Sequence, residues 1–216
     1  MRLIELSHPI EDGMAVYPGL PRPEVRALVD RAASRASYAG QAEFLLGRVA
    51  MAGNTGTYLD APFHRFPDGL DLAALPLERV AALPGIAIDT PDRPGPVALP
   101  DDAGAWRGRA VLVRSGWDAR WGRDAYWEPG PFLTGAYLER LVAAGPALVG
   151  VDFWNVDDTT DPARPAHTAL LRAGIPIVEH LCHLDALPRE GFRFNAAPLA
   201  IVGGASFPVR AWAELP

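Results

Sequence analysis

The run Gly53-Asn54-Thr55-Gly56-Thr57-Tyr58-Leu59-Asp60-Ala61-Pro62-Phe63-His64 sets a carboxylate four positions before a histidine, among backbone-permissive glycines and a proline. Such a run suits a site loop. Asp60 offers hard oxygen to a divalent cation, and the His64 imidazole can ligate or accept a proton. The same letters also fit a helix-capping Asp60 before Pro62 with a hydrogen-bonded His64.

A second cluster, from Asp152 to Asp161, holds four aspartates and is followed by His167 and Glu179-His180. It lacks the glycine and terminal glutamate of an EF-hand, so calcium is not assigned, and Asp157, Asp158 and Asp161 read as turn caps. The path from His167 to Glu179 says more. Helix to Ala173 advances about 9 Å and strand from Ile175 to Glu179 returns about 13 Å, so the two side chains can end near each other. With an earlier carboxylate they form an oxygen, nitrogen, oxygen set that suits zinc or manganese and leaves positions for water and substrate.

Short apolar segments broken by Pro and Gly must position these residues: Leu3 to Leu6, Phe44 to Met51, Gly85 to Ile88, Arg109 to Arg114, Ala147 to Val151, Ile175 to Val178 and Phe192 to Val202. These read as strands. Two segments read as helices. Thr134 to Ala144 has a capping Thr134, one face of Leu138, Leu141 and Val142, and a stop at Gly145-Pro146. Pro165 to Ala173 starts on a proline and closes at Gly174, with His167 in its first turn. Arg26 to Arg35 reads as a short surface helix and Asp92 to Pro100 as a surface loop.

With 216 residues, 49% of them apolar, and no linker or internal repeat, the chain reads as one domain, residues 1–216. A net charge of −6 argues against nucleic acid and anionic lipid as partners. No lysine occurs, which removes Schiff-base chemistry and the P-loop lysine. The single Cys182 offers neither disulfide nor zinc cluster and reads as a small buried hydrophobe; with no signal-peptide core or apolar run of membrane-spanning length, the expected location is the cytoplasm. Gly203-Gly204-Ala205-Ser206 fails the nucleophile-elbow pattern.

Asn54 to His64 resembles the HxGTHxDxPxH signature of the cyclase family, metal-dependent amidohydrolases that include bacterial kynurenine formamidases and isatin hydrolases. Leu6-Ser7-His8-Pro9-Ile10 and Tyr17-Pro18-Gly19 are similar to the family's opening. Ser115-Gly116-Trp117, Val149-Gly150-Val151-Asp152 and Pro208-Val209-Arg210 are similar to later segments. The resemblance implies Asp60, His167 and Glu179 as metal ligands and His64 as base or proton shuttle. Asn54 and Tyr58 stand where the motif has two histidines. Neither replaces an imidazole, so one divalent ion, zinc or manganese, is expected rather than two.

Tyr58 is expected to donate a hydrogen bond to substrate or oxyanion, and Tyr17, Asn54, Phe66, Trp117 and Trp154 to line the pocket. His8 can face that pocket, while His180 and His183 read as structural. The resemblance implies an α/β fold with a mixed, curved sheet and few helices, the swivelling β/β/α type, in a homodimer. It implies a hydrolase acting on C–N bonds of a small amide, imide, lactone or aryl formamide through metal-activated water. The alternative is a ligand-binding or regulatory protein that kept the fold and lost catalysis.

Overall fold

The computed structural model describes residues 1–97 and 106–216. In chain order its elements are β1 (Arg2–Glu5), β2 (Glu24–Val29), α1 (Arg31–Ser37), β3 (Leu46–Ala50), β4 (Tyr58–Asp60), β5 (Leu83–Asp89), β6 (Gly95–Pro96) and β7 (Ala110–Arg114). Then follow β8 (Pro131–Phe132), α2 (Gly135–Ala144), β9 (Leu148–Val151), α3 (Pro165–Arg172), β10 (Ile177–Glu179), β11 (Glu190–Asn195), β12 (Ser206–Pro208) and β13 (Trp212–Leu215).

Nine strands form one mixed sheet in the order β1-β13-β11-β5-β7-β9-β10-β4-β12. Its centre, β5-β7-β9-β10, is parallel, and both flanks are antiparallel. The central strands are buried on both faces, so side chains of alternate parity enter two cores. Ile86, Ile88, Val111, Val113, Val149, Val151 and Ile177 meet Leu138 and Leu141 of α2 and Leu170 and Leu171 of α3. Leu83, Ala87, Ala110, Leu112, Leu148 and Val178 pack on the other face with Leu6, Leu59 and Phe194. Each fully buried side chain of this size stabilises the fold by about 1.5–3 kcal/mol. A mixed sheet with few helices is thus what the chain forms.

Helix boundaries follow local chemistry. Gly145 closes α2 at φ 66°, and Gly174 follows α3 at φ 71°, backbone that a side chain disfavours. Thr134 occupies the N-cap of α2, but its side chain makes no capping hydrogen bond, contrary to expectation. The expected helix from Arg26 to Arg35 is instead the end of β2 followed by α1, because Asp30 accepts from Ala33 N at 2.8 Å and starts the helix only there.

The strand expected from Phe192 to Val202 stops at Asn195, where Ala196 N leaves the sheet for Val80 O at 2.7 Å. That expected at Ile175 begins after Pro176, which has no N–H to give. Of the expected loop to Pro100, Gly95–Pro96 pairs with β8, and positions 98–100 lie outside the described residues. No helix among the described residues is long and apolar enough to cross a membrane.

β2 and β3 form a sheet of their own, paired only with each other, and almost every residue in them is exposed. Val25 lies opposite Val49, both about half exposed, with Leu28, Phe44, Leu45 and Leu46 also uncovered.

Candidate active site

Three neighbouring short strands place the chemical side chains by register. Tyr58 of β4 lies opposite Glu179 of β10, and Asp60 lies between Ile177 of β10 and Ser206 of β12. Alternation turns Tyr58 and Asp60 to one face while Leu59 enters a core. α3 packs over the same edge and carries His167 in its first turn. Asp60 is therefore strand-borne rather than a helix cap, and it is fully buried.

Asp157 fixes α3. Its carboxylate accepts from Ala166 N at 2.6 Å, His167 N at 3.2 Å and His167 Nδ1 at 2.6 Å. A carboxylate only accepts, so Nδ1 carries the proton and Nε2 is turned toward the other acids. There it stands 3.5 Å from Asp60 Oδ2 and 3.8 Å from Glu179 Oε1. Glu179 Oε1 also accepts from Val156 N at 2.7 Å, and Oε2 accepts the Tyr58 hydroxyl.

Asp60 Oδ1 accepts from Ser206 Oγ and, at 3.3 Å, from Asn54 Nδ2, whereas Oδ2 is buried and, among the described residues, met only by His167 Nε2 at 3.5 Å. Ser206 Oγ gives its one proton to Asp60, so at 3.0 Å it accepts from His64 Nδ1. Nε2 of His64 is then its basic nitrogen. Ligand atoms of Asp60, His64 and His167 all lie within 4.8 Å of one another.

Electrostatics match this crowding of acids. Burial opposes charge on His167, but hydrogen bonds to Asp157 and Asp60 and the Glu179 charge outweigh it and hold the imidazole up at about 10. Burial, then the Asp60 charge, pushes Glu179 up to about 7. Burial would also raise Asp60, yet its bond to His167 and the two histidine charges keep it below the usual carboxylate range. Burial and both acids hold the Tyr58 phenol well above its ordinary value, so it is a neutral donor. Its single proton goes to Glu179, where a bond to substrate had been expected.

A cavity of about 280 Å³ opens onto this group, lined by Tyr17, Asn54, Tyr58, His64 and His167 and also by Leu20, Arg65, Asn155 and Arg164. Three expected wall residues lie elsewhere, each claimed by a stronger local partner. Trp117 is buried and donates to Tyr126 O at 3.0 Å. Trp154 donates to Glu128 O at 2.9 Å and reaches the wall only through the Tyr17 ring, 5.6 Å away. Phe66 lies under the Arg172 guanidinium at 4.2 Å.

His8 does not line this cavity either; it stacks on Trp121 at 3.9 Å, and burial lowers it to about 4. His180 shares a hydrogen bond of 2.8 Å with the Tyr126 hydroxyl, and burial lowers it to about 3. His183 Nδ1 contacts Glu5 O at 3.1 Å. Cys182 is buried and pushed up to about 12, chiefly by burial, so it is an inert thiol at neutral pH. Asp157, Ser206, Arg65 and Arg164 were not among the expected site residues. Asp157 stands in a run that also reads as turn caps, and an arginine before a helix or a lone serine carries no signal of its partner.

Known proteins share this arrangement of chain. Residues 4–158 match the Cyclase family model. A kynurenine formamidase of Geobacillus thermodenitrificans is 30% identical over 96% of this chain and 95% of that protein. An isatin hydrolase of Roseibium aggregatum is 30% identical over 78% of this chain and 74% of its own. Isatin hydrolase A from Labrenzia aggregata, solved with benzyl benzoate, matches with a TM-score of 0.81 over 99% of this chain and 93% of that one, at 24% identity. That last likeness is one of fold. A family match over most of the length, together with a relative that spans nearly the whole of it, leads to one conclusion: the chain belongs to the cyclase family.

Proposed function

We propose that this protein is a metal-dependent hydrolase that opens the C–N bond of a small amide, imide or aryl formamide, or the ester bond of a related lactone. The observation that carries this reading is the convergence of Asp60 Oδ2, His167 Nε2 and Glu179 Oε1 beside the cavity, both acids being fully buried. Two buried carboxylates gathered on one imidazole are costly to ionise together and fit a cation. Two carboxylates and an imidazole whose other nitrogen is held by Asp157 suit zinc or manganese. Asp60, His167 and Glu179 would hold one such ion, which supplies polarisation of a carbonyl and acidification of a water.

The chain's own residues do the rest. His64, half exposed with Nδ1 on Ser206, takes a proton from the attacking water at Nε2. Water oxygen bonds to the carbonyl carbon, the C–N bond breaks, and the proton held by His64 passes to the departing nitrogen. Tyr58 holds Glu179 in place, and Asn54 steadies Asp60. Arylformamidase-like chemistry is supported by the kynurenine formamidase similarity. A homodimer is supported by the uncovered apolar arm of β2 and β3, and the cytoplasm by the single free, buried cysteine.

A second reading, a binding protein without catalysis, is favoured by Asn54 and Tyr58, which hydrogen-bond the two carboxylates where the motif has histidines. Elemental analysis after loading with Zn²⁺ or Mn²⁺, with turnover of formamide, imide and lactone panels, separates the two. One ion per chain is expected, lost in Glu179→Ala, with turnover reduced by about 10²–10⁴-fold in His64→Gln. A second ion is expected in Asn54→His/Tyr58→His. No ion and no turnover in the unaltered protein would leave the binding reading.

A further inference from the structure

Tyr58 directs its one proton to Glu179, so the oxygen of a substrate carbonyl needs another donor in this cavity. Most polar groups of the wall lean on other partners. His167 Nδ1 lies on Asp157, His64 Nδ1 on Ser206 and Asn54 Nδ2 on Asp60, while Arg65 reaches Thr168 Oγ1 at 3.3 Å and Ala163 O at 3.2 Å. Asn155 differs. Its Oδ1 accepts from Asp157 N at 2.9 Å, which settles which end of the amide is oxygen, and its Nδ2 has no hydrogen-bond partner among the described residues. That nitrogen is not sealed from solvent either.

The chain around Asn155 is stitched to the acid cluster. Val156 N donates to Glu179 Oε1 at 2.7 Å, and the Asp157 carboxylate holds His167 Nδ1 at 2.6 Å. Position 155 is therefore fixed within two residues of the bonds that hold Glu179 and His167. Asn155 lines the site cavity and also a second hollow of about 350 Å³, which Trp154, Asp157 and Asp158 share. Its oxygen end turns to Asp157, on the side of that second hollow, and this leaves the nitrogen end to the site cavity.

We propose that Asn155 is a catalytic residue whose Nδ2 donates to the carbonyl oxygen of a neutral amide or ester and stabilises that oxygen as it takes up charge. The inference rests on the hydrolase reading above, since the oxygen becomes negative only when water adds. As water oxygen bonds to the carbonyl carbon, the π pair moves onto the carbonyl oxygen and the N–H···O bond strengthens. When the pair returns, the C–N bond breaks. Asn155 gives up no proton at either step. Its amide is oriented by Asp157 N before any substrate arrives, which is the condition for such a donor to be effective.

Hydrolysis of formanilide by the zinc-loaded protein is compared in the unaltered chain, Asn155→Ala and Asn155→Asp, with zinc content and melting temperature measured on each. Asn155→Asp keeps an acceptor for Asp157 N and loses the donor, whereas Asn155→Ala loses the donor without adding charge. A role in the turn alone would spare Asn155→Asp, and a charge effect alone would spare Asn155→Ala. Both should instead lose about 10²-fold in kcat, with KM little changed and zinc content the same. An unchanged kcat in either variant overturns the assignment. Asn155→Ser, which keeps the turn on a shorter side chain, replaces a variant that does not fold.

Infrared spectra of bound, carbonyl-labelled acetanilide test the contact apart from turnover. Its carbonyl stretch should be lower on the unaltered protein than on the variants, because a hydrogen bond weakens the C=O bond. The same stretch on all of them, or no binding to the unaltered protein, overturns the contact. A lowered stretch that depends on Asn155, with no turnover of formanilide, supports the contact while removing the hydrolase reading.

Discussion

Asp157 lies outside the wall of the site cavity, yet it sets which nitrogen of His167 faces Asp60 and Glu179. Asp157→Asn replaces one acceptor oxygen by an NH₂ group that cannot take the Nδ1 proton. Affinity for Zn²⁺ or Mn²⁺ should fall by about 10–100-fold in titration calorimetry, and the weakened cap of α3 should cost about 1 kcal/mol. Unchanged affinity would show that Asp157 only caps the helix. That Asp60, His64, His167 and Glu179 belong to one cluster was legible because their chemistry is intrinsic to residue type. What Asp157 and Ser206 do was not, because it depends on which atom each meets across the fold. Tyr58 shows the same limit: its type suggested a donor, but only the pairing of β4 with β10 reveals that Glu179 receives the proton.

At the scale of elements, Asp152 ties the ends of two parallel strands. It follows β9, and its carboxylate accepts from Ser115 N, Ser115 Oγ and Gly116 N just beyond β7. Burial pushes this carboxyl up to about 7 despite those bonds. An unfolded aspartate releases its proton near pH 4, so between about pH 4 and 7 the folded chain holds the extra proton. Stability from this group is full below that window and is lost as the pH rises through about 7. Asp152→Asn removes the titration and offers one acceptor to three donors. Its melting temperature should be lower by the equivalent of about 1–3 kcal/mol and should vary less between pH 5 and 8. An unchanged pH slope in calorimetric melting would refute the assignment. Strands β5, β7 and β9 were readable because both faces are apolar over four or more residues. β4 and β12 were not, since three residues carry no period and each owes its existence to a neighbour. β2 was mistaken for helix because its exposed, arginine-bearing surface suits either form.

For the whole molecule, the β2–β3 arm is the feature that a single copy leaves unexplained. Two strands without a core are marginal in water, and this pair keeps Val25, Leu28, Leu46 and Val49 uncovered. A second copy that covers them would supply the missing face. Val25→Glu/Val49→Glu, opposite each other on one face of the pair, should therefore halve the mass measured by light scattering while the far-ultraviolet circular dichroism of the nine-stranded sheet persists. A monomeric mass for the unaltered protein would remove the dimer. The sheet also places the first strand beside the last, Arg2 opposite Leu215, and seats Ser206 against Asp60 across 146 positions of sequence. A ribosome therefore releases β4 long before it has made the residue that completes Asp60's surroundings. The acid cluster has to wait, unfinished, for β12, so Asp60 and His64 gain their shared Ser206 partner together and late. A chain cut before β12 would carry the central strands, the helices and the cavity-lining arginines, with Asp60 and His64 both missing the serine that joins them.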